Sequence, residues 1–391
     1  MIRRSKPLGY LLAALAFALT VLLLFAMGHH QHGSMRESSL LKTSQTHGGQ
    51  YFSINRKLMQ NTDRIPSRDA PADRTIEVGV QIENVHQVSL KDKVYWMEGW
   101  YWLKWPEAID KVIKAEKIPL DQIVEFTNVV EETNLTVTLD TAEPTHMVKE
   151  GGYYQLVRFS GRFYVNDLDL RRYPFVQVVL PLTLETKPDS LSCYPSGPPC
   201  VGLKPEQDIA KMMVGQFADI NGYDLKAATV EPFLHQYNTT FGVGDLSAFN
   251  SVDFNLVYKS NFIAALAQFI LPLLVIIGIV LVSPSLPAAM GDVRLAIPTT
   301  ALLTLIFLQQ GYQANIPSLS YLTFLDWLYL YAYLISIVVF ILFCWSTNRY
   351  NNADEDYKVD TEIGINIVDK RIQTVAIIVL ALLIPFAWFI E

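Results

Sequence analysis

The chain has 391 residues, of which 51% are hydrophobic and 18% charged. Its formal net charge of −7 is the opposite of the basic excess a nucleic-acid-binding surface needs, and neither a Gly-rich phosphate loop nor a long internal repeat is present. A chain this apolar that still carries so many charges reads as a soluble domain joined to membrane helices.

Arg3, Arg4 and Lys6 precede an apolar run from Leu8 to Met27. That pattern over residues 1–27 is a secretory signal or an uncleaved N-terminal anchor helix, and either exports the chain beyond it. Residues 28–74, rich in His, Ser, Gln and Thr, read as a linker. From Thr75 the pattern has period two: Ile76, Val78, Val80 and Ile82 alternate with Glu77, Gly79, Gln81 and Glu83, which predicts a half-buried strand. Further strands are predicted over 95–105, 136–140, 153–164, 176–184, 228–237 and 251–258, with turns at Gly151-Gly152, Lys187-Pro188-Asp189 and 242–247. Many short strands punctuated in this way predict an all-β, immunoglobulin-like sandwich outside the cytoplasm over residues 75–260. No catalytic constellation stands out, so an enzyme is not expected.

Cys193 and Cys200 lie in a segment rich in Pro, Gly and Ser. They are a candidate disulfide in an oxidising compartment, the alternative being two free thiols. No His or further Cys accompanies them at ligand spacing, so neither a metal nor a cofactor is expected. Cys344, alone in an apolar stretch, reads as a small buried residue.

Apolar runs then recur at lengths that cross a bilayer. They predict an all-α domain over 261–391 with four spans, about 262–282, 294–314, 325–345 and 374–390. With the middle region exported, the Asp292/Arg294 loop and residues 349–371 face the cytoplasm, and the positive-inside bias of Arg349, Lys358, Lys370 and Arg371 is weak. The second span differs from the others in carrying Thr299, Thr300, Thr304, Gln309 and Gln310 among apolar residues. Such groups either bond neighbouring helices or face water.

Several local patterns, in order, resemble the pentameric ligand-gated ion channels of the Cys-loop superfamily, in their prokaryotic form. Trp100-Tyr101-Trp102 is similar to the family's second strand. Pro119, Asp121 and Asn128 resemble its principal binding face, and Asp169 through Tyr173-Pro174-Phe175 its signature loop. Pro272 resembles the Pro of the first pore-domain helix, and Pro317 through Asp326 the loop leading into the third. The cysteines that flank the signature loop in eukaryotic members are replaced by Asn166 and Leu180. Two positions that form a buried ion pair in the family are Val176 and Ser260, the latter beside Lys259. Loss of both halves leaves no stranded charge, and it implies a differently built contact between the domains.

The resemblance implies an inner-membrane, multi-pass channel of five identical subunits with its large N-terminal domain extracytoplasmic. The pore stripe would be Asp292, Ala296, Thr300, Leu303, Phe307, Gln310 and Ala314. Leu303 and Phe307 would gate it by dewetting, and the Asp292 ring would favour cations. Pro287-Ala288-Ala289 near the same mouth is a feature of anion-selective relatives. Ligand-binding candidates at the subunit interface are Trp100, Trp102, Asn128, Tyr237, Phe241 and Phe249, whose aromatic faces suit a cation. The agonist would be a small molecule, or protons acting through His86, His146 or His235. Asp169, Tyr173, Pro174, Phe175, Lys259 and Pro317 would couple the domains. The alternative reading is a non-conducting membrane sensor or assembly subunit.

Overall fold

The computed structural model describes residues 64–67, 70–147, 151–165, 168–192, 201–237 and 248–389. The leader, most of the linker, Cys193, Cys200 and Phe241 lie outside the described residues. Residues 64–260 form a sandwich-like pair of sheets and residues 262–389 a helical bundle.

The alternating segment from Thr75 becomes β2 (Thr75–Ser89), after the short β1 (Arg64–Pro66). Then come β3 (Val94–Trp105), helix α1 (Glu107–Glu116), β4 (Val124–Phe126), β5 (Thr136–Leu139), β6 (Thr145–His146), β7 (Tyr153–Tyr164) and β8 (Gln177–Thr186). A crossover adds β9 (Gly202–Pro205), the one-turn helix α2 (Ile209–Met212) and β10 (Val214–Phe217). The long hairpin of β11 (Tyr223–Gln236) and β12 (Ala248–Ser260) closes the domain. One sheet runs β1-β11-β12-β8-β4; the other runs β10-β2-β3-β7-β5, with β9 beside β2 and β6 beside β7.

Alternation decides which side chains meet between the sheets. Ile76, Val78, Val80 and Ile82 are fully buried against Leu180, Leu182 and Leu184 of β8 and Val252, Phe254 and Leu256 of β12 in one core. Phe126 on β4 bridges the layers, its ring 5.7 Å from Tyr101 on β3 and 5.2 Å from Phe159 on β7. Offset and edge contacts of this kind add about 0.5–1.5 kcal/mol per pair beyond burial. The turn into β7 needs Gly152: φ is +108° and a Cβ would lie 2.5 Å from the Trp105 carbonyl oxygen.

Several boundaries differ from expectation. The sheet begins at Arg64, ten residues inside the expected linker, because residues 64–66 pair with His235, Leu234 and Phe233. Helix α1 and strands β9 and β10 are additions to the expected set. Helix α1 follows Pro106 and buries Ile109 and Ile113, an i, i+4 spacing within an otherwise charged stretch.

Four helices among the described residues are long and apolar enough to cross a membrane. They are α3 (Phe262–Ser285), α4 (Gly291–Gln313), α5 (Phe324–Asn351) and α6 (Lys358–Phe389). Thr323 caps α5 reciprocally with Asp326, and α5 packs against the other three. The fourth span starts 16 residues before the expected 374, so most of 349–371 is helix rather than loop. Hydropathy misses this charged start because Ile365 and Ala376 are buried on one face while Lys370 and Arg371 stay outside.

Arg294 is the sharpest correction. Rather than sitting with Asp292 in a surface loop, it is fully buried, bound to Asp369 on α6 at 2.6 Å and lying over the Phe343 ring of α5 at 4.2 Å. One cation thus ties three helices together. Because α4 starts at Gly291, Pro298 falls in the helix interior, and the Arg294 carbonyl lacks its i+4 amide donor.

Removing one member of a buried pair strands the other. Asp369→Ala is therefore expected to destabilise the bundle by about 3–5 kcal/mol, and Arg294→Met combined with Asp369→Leu to recover most of that loss. Thermal unfolding of the detergent-solubilised protein measures both.

Candidate functional site

Two regions of the chain combine unusual exposure with chemistry: one face of α4, and the junction where the sandwich meets the helices. A third cluster sits on the outward face of the five-stranded sheet.

Helix α4 is two-faced. Arg294, Pro298, Ala301, Leu305 and Tyr312 are buried within the bundle. The seven stripe residues fall on the other side: Asp292, Ala296, Thr300, Leu303, Phe307, Gln310 and Ala314 are all exposed in the single chain. Leu303 is 56% and Phe307 63% exposed. Ala314 follows the last helical residue as its C-cap. Thr299 and Thr304 donate their hydroxyls to the carbonyls of Leu295 (2.8 Å) and Thr300 (2.9 Å), so the helix satisfies these two itself. Gln309 turns inward and accepts from the Tyr333 hydroxyl at 2.7 Å.

At the junction, the loop from Leu168 to Val176 lies on the helix ends. Tyr173, joined to Pro174 by a cis peptide bond, stacks on Tyr312 of α4 (6.1 Å) and meets Phe269 of α3 edge-on (5.4 Å). Phe175 stacks on Phe262 (4.9 Å) and meets Trp388 of α6 (5.7 Å). The Phe324 amide donates to the Arg171 carbonyl at 2.7 Å, and the Leu170 amide to the Tyr321 hydroxyl at 3.1 Å. Loop and all four helices thus meet through rings and backbone. Burial pushes the Tyr173 phenol above its ordinary range, so it stays neutral across physiological pH.

Val176 and Ser260 face each other without charge. The Val176 amide donates to the Ser260 hydroxyl at 2.8 Å, and that hydroxyl donates to the Pro174 carbonyl at 2.8 Å. Asp169 is not a cross-domain contact: its carboxylate pairs with Arg171 two residues on, at 3.1 Å. Lys259 is exposed at the foot of β12, and Pro317 is half-buried in the link between α4 and α5.

The ligand-binding candidates do not come together within one chain. Trp100 and Trp102 alternate with buried Tyr101 and Leu103, so they stand on the outward face of the seven-stranded sheet. Arg158 lies over Trp100 at 5.6 Å. Trp102 fits over Gly79, where any Cβ would collide with its ring, and donates to Glu206 at 2.7 Å. Phe249 on β12 and Tyr237, the residue just past β11, lie at the five-stranded sheet, their rings 5.9 Å apart. Asn128 is not available to a ligand. It is buried, donates to the Pro181 carbonyl at 2.7 Å and accepts from the Thr183 amide at 3.1 Å, bracing β8.

Sequence reading missed Glu185. Nearly fully buried at the base of the β11–β12 hairpin, it accepts from the hydroxyls of Ser251 (2.6 Å) and Tyr237 (2.9 Å) and lies 2.6 Å from His235 Nδ1. Burial first, and Glu185 second, push the Tyr237 phenol upward. Beside this cluster Arg64 pairs with buried Asp253 at 2.5 Å, which also accepts from Thr183 at 2.7 Å. The signal was present in the ladder, since Glu185 pairs with Ser251 and His235 with Phe249, but only once the register is known. His146 packs edge-on against Tyr153, and the His86 ring lies tilted beside Trp96, 6.0 Å between centroids. No group of metal-ligating side chains occurs among the described residues.

No protein-family model matches the chain, and no curated protein matches it in sequence. The class that fold and site define is therefore a membrane protein with a sheet-rich domain set on four apolar helices.

These contacts carry two expected outcomes. Asn128→Ala leaves the buried Thr183 amide without this acceptor, while the Pro181 carbonyl keeps the Tyr95 hydroxyl, and is expected to cost about 1–3 kcal/mol in chemical unfolding, with or without ligand. Glu206 is partly buried, which alone would raise its pKa, but hydrogen bonds from Lys104 and Trp102 outweigh this and hold it below the usual carboxylate range. A depressed folded-state pKa stabilises the fold above the unfolded value, about 4.3, and that stability is lost as pH falls through the folded one. The stability difference between wild type and Glu206→Gln is therefore expected to be flat near neutrality and to shrink below about pH 4 in pH-dependent unfolding.

Proposed function

We propose that the chain is one subunit of a homopentameric ligand-gated ion channel of the prokaryotic Cys-loop type, with an immunoglobulin-like sandwich outside the inner membrane. The observation that carries this reading is the exposed stripe of α4. Seven positions spaced three or four residues apart all point away from the subunit's own bundle, and they mix Thr, Gln and Asp with Leu and Phe. Exposed apolar residues on α3 and α6 suit lipid; a stripe with exposed threonine and glutamine suits water. Five such helices around an axis would line a pore whose Leu303 and Phe307 rings close it by dewetting, with Asp292 at the cytoplasmic mouth favouring cations.

The collinear resemblance and the seat of the signature loop on the helices support the same reading. Aromatic stacking at Tyr173 and Phe175 would transmit movement of the sandwich to α3, α4 and α6, replacing the family's ion pair. Trp100 and Trp102 on one sheet, Tyr237 and Phe249 on the other, would meet only across a boundary between subunits. That arrangement suits an agonist site shared by two copies. A small molecule or protons binding the open state more tightly would raise its occupancy. Four identical partners in a bilayer are what this reading requires.

The test is electrical. Purified protein in liposomes is expected to conduct under some ligand or pH condition. Leu303→Ser should ease opening by wetting the constriction, and Asp292→Ala should weaken cation preference. Unchanged conductance, gating and selectivity in both variants would sink the pore assignment. A two-dimensional particle average should show five-fold symmetry.

A further inference from the structure

The outward face of the five-stranded sheet floors a long groove with a cavity volume of about 1220 Å³. Alternation along β12 sends Phe254 and Leu256 into the core, so Asp253 and Asn255 face the groove. On the β11 side stand Glu231, Phe233 and Arg64, whose guanidinium lies 4.2 Å over the Phe233 ring. Asn255 is five residues from the end of β12, roughly 17 Å above the helices at the rise of a strand. This stretch is therefore separate from the junction with the bundle.

Asn255 is only 8% exposed, yet its side-chain amide has no hydrogen-bond partner among the described residues. The ladder shows why. On one side Asn255 faces Pro181, whose ring offers neither donor nor acceptor, and on the other Thr229. The nearest carboxylate on its own strand, Asp253, is already engaged: one oxygen accepts from the Thr183 hydroxyl at 2.7 Å and the other pairs with Arg64 at 2.5 Å. Buried amides are nearly always bonded, so an open one facing a groove marks a place for a ligand's polar group. Charge decides which kind. Glu231 stands opposite Asp253 in the ladder and is thus a diagonal neighbour of Asn255, about 7–8 Å away. It is exposed, lines the groove and has no hydrogen-bond or ion-pair partner among the described residues. Since Arg64 and Asp253 neutralise each other, Glu231 leaves this stretch with one net negative charge. His235, further up β11, lies against Glu185, and Lys259 is four residues down β12 from Asn255, roughly 13 Å at the same rise. Val179 and Pro181 supply an apolar floor.

We propose that Glu231 and Asn255 form an accessory site for a small primary ammonium ion. Its N–H groups donate to the Glu231 carboxylate and to Asn255 Oδ1, and its short alkyl chain lies against Val179 and Pro181. Recognition here differs in kind from that at the aromatic candidates Trp100, Trp102, Tyr237 and Phe249. Oxygen acceptors demand N–H donors, whereas ring faces attract a cation with or without them. The site lies within one chain and uses neither a pore nor a second copy, so its failure would leave the channel reading untouched.

Propylammonium chloride titrated into the detergent-purified protein at constant ionic strength, and read by saturation-transfer NMR, tests this. Binding is expected to saturate, and an excess of tetramethylammonium, which has no N–H to donate, should not displace the bound amine. Glu231→Gln, at an exposed position whose change leaves folding intact, should weaken binding about tenfold, and Asn255→Ala about fivefold. Because the Asn255 amide holds nothing in the protein, Asn255→Ala should keep the wild-type thermal unfolding midpoint when no amine is present. Displacement by tetramethylammonium, unchanged binding in either variant, or a lowered midpoint for amine-free Asn255→Ala would overturn the proposal.

Discussion

Hydrocarbon offers no hydrogen bonds, so every polar group on a membrane helix must find a partner in the protein or in water. Helix α4 answers this constraint differently on its two sides. Inward, it buries Arg294 against Asp369 and Phe343 through one hydrogen bond, with Arg294 Nε and Nη1 and one Asp369 oxygen left unbonded, and turns Gln309 to Tyr333. Outward, Thr299 and Thr304 bond their own backbone, while Thr300 and Gln310 stay exposed beside Leu303 and Phe307. A single copy in lipid leaves the Gln310 amide facing acyl chains, a cost of several kcal/mol by transfer data. A water-filled axis shared by several copies removes it. The proposed pore is thus the arrangement that reconciles the inner and outer faces of one helix.

In the proposed channel, the same bundle would let the sheet domain act on that helix. Helix α5 touches each of the other three and carries Phe343, which the Arg294–Asp369 pair lies against. At the other end Tyr173 and Phe175 spread their rings over α3, α4 and α6. Close-packed aromatic contacts shift between discrete arrangements rather than deforming smoothly. A loop seated this way would move the helix ends as a set. Neutral hydrogen bonds at Val176 and Ser260 hold the loop to the last strand without the desolvation cost of a buried ion pair.

Much of this was legible in the sequence because period two and long apolar runs are direct consequences of burial. The strand over 153–164 matches to the residue, and three of the four spans match to within a few residues except for the longer C-terminal end of α5. The hidden parts depend on partners far along the chain. The three residues of β1 carry no pattern of their own and become a strand only through β11. The charged start of α6 hides its helix because Ile365 and Ala376 are buried with polar neighbours between them. Arg294 and Asp369 are 75 positions apart, and nothing local to Arg294 distinguishes a surface arginine from a buried one. Glu185 was invisible for the same reason: its three partners lie on two other strands or just beyond one.

Water at the outward face of α4 is the claim on which the functional reading stands. The most direct measurement is the reaction rate of single cysteines with a charged, membrane-impermeant thiol reagent. The protein would be in bilayers, with Cys193, Cys200 and Cys344 first replaced by Ser. Positions 300, 303, 307 and 310 should react in a three-to-four-residue rhythm, while positions 275 on α3 and 378 on α6, exposed to lipid, should not. Protection of all four α4 positions to the level of 275 and 378 would contradict it.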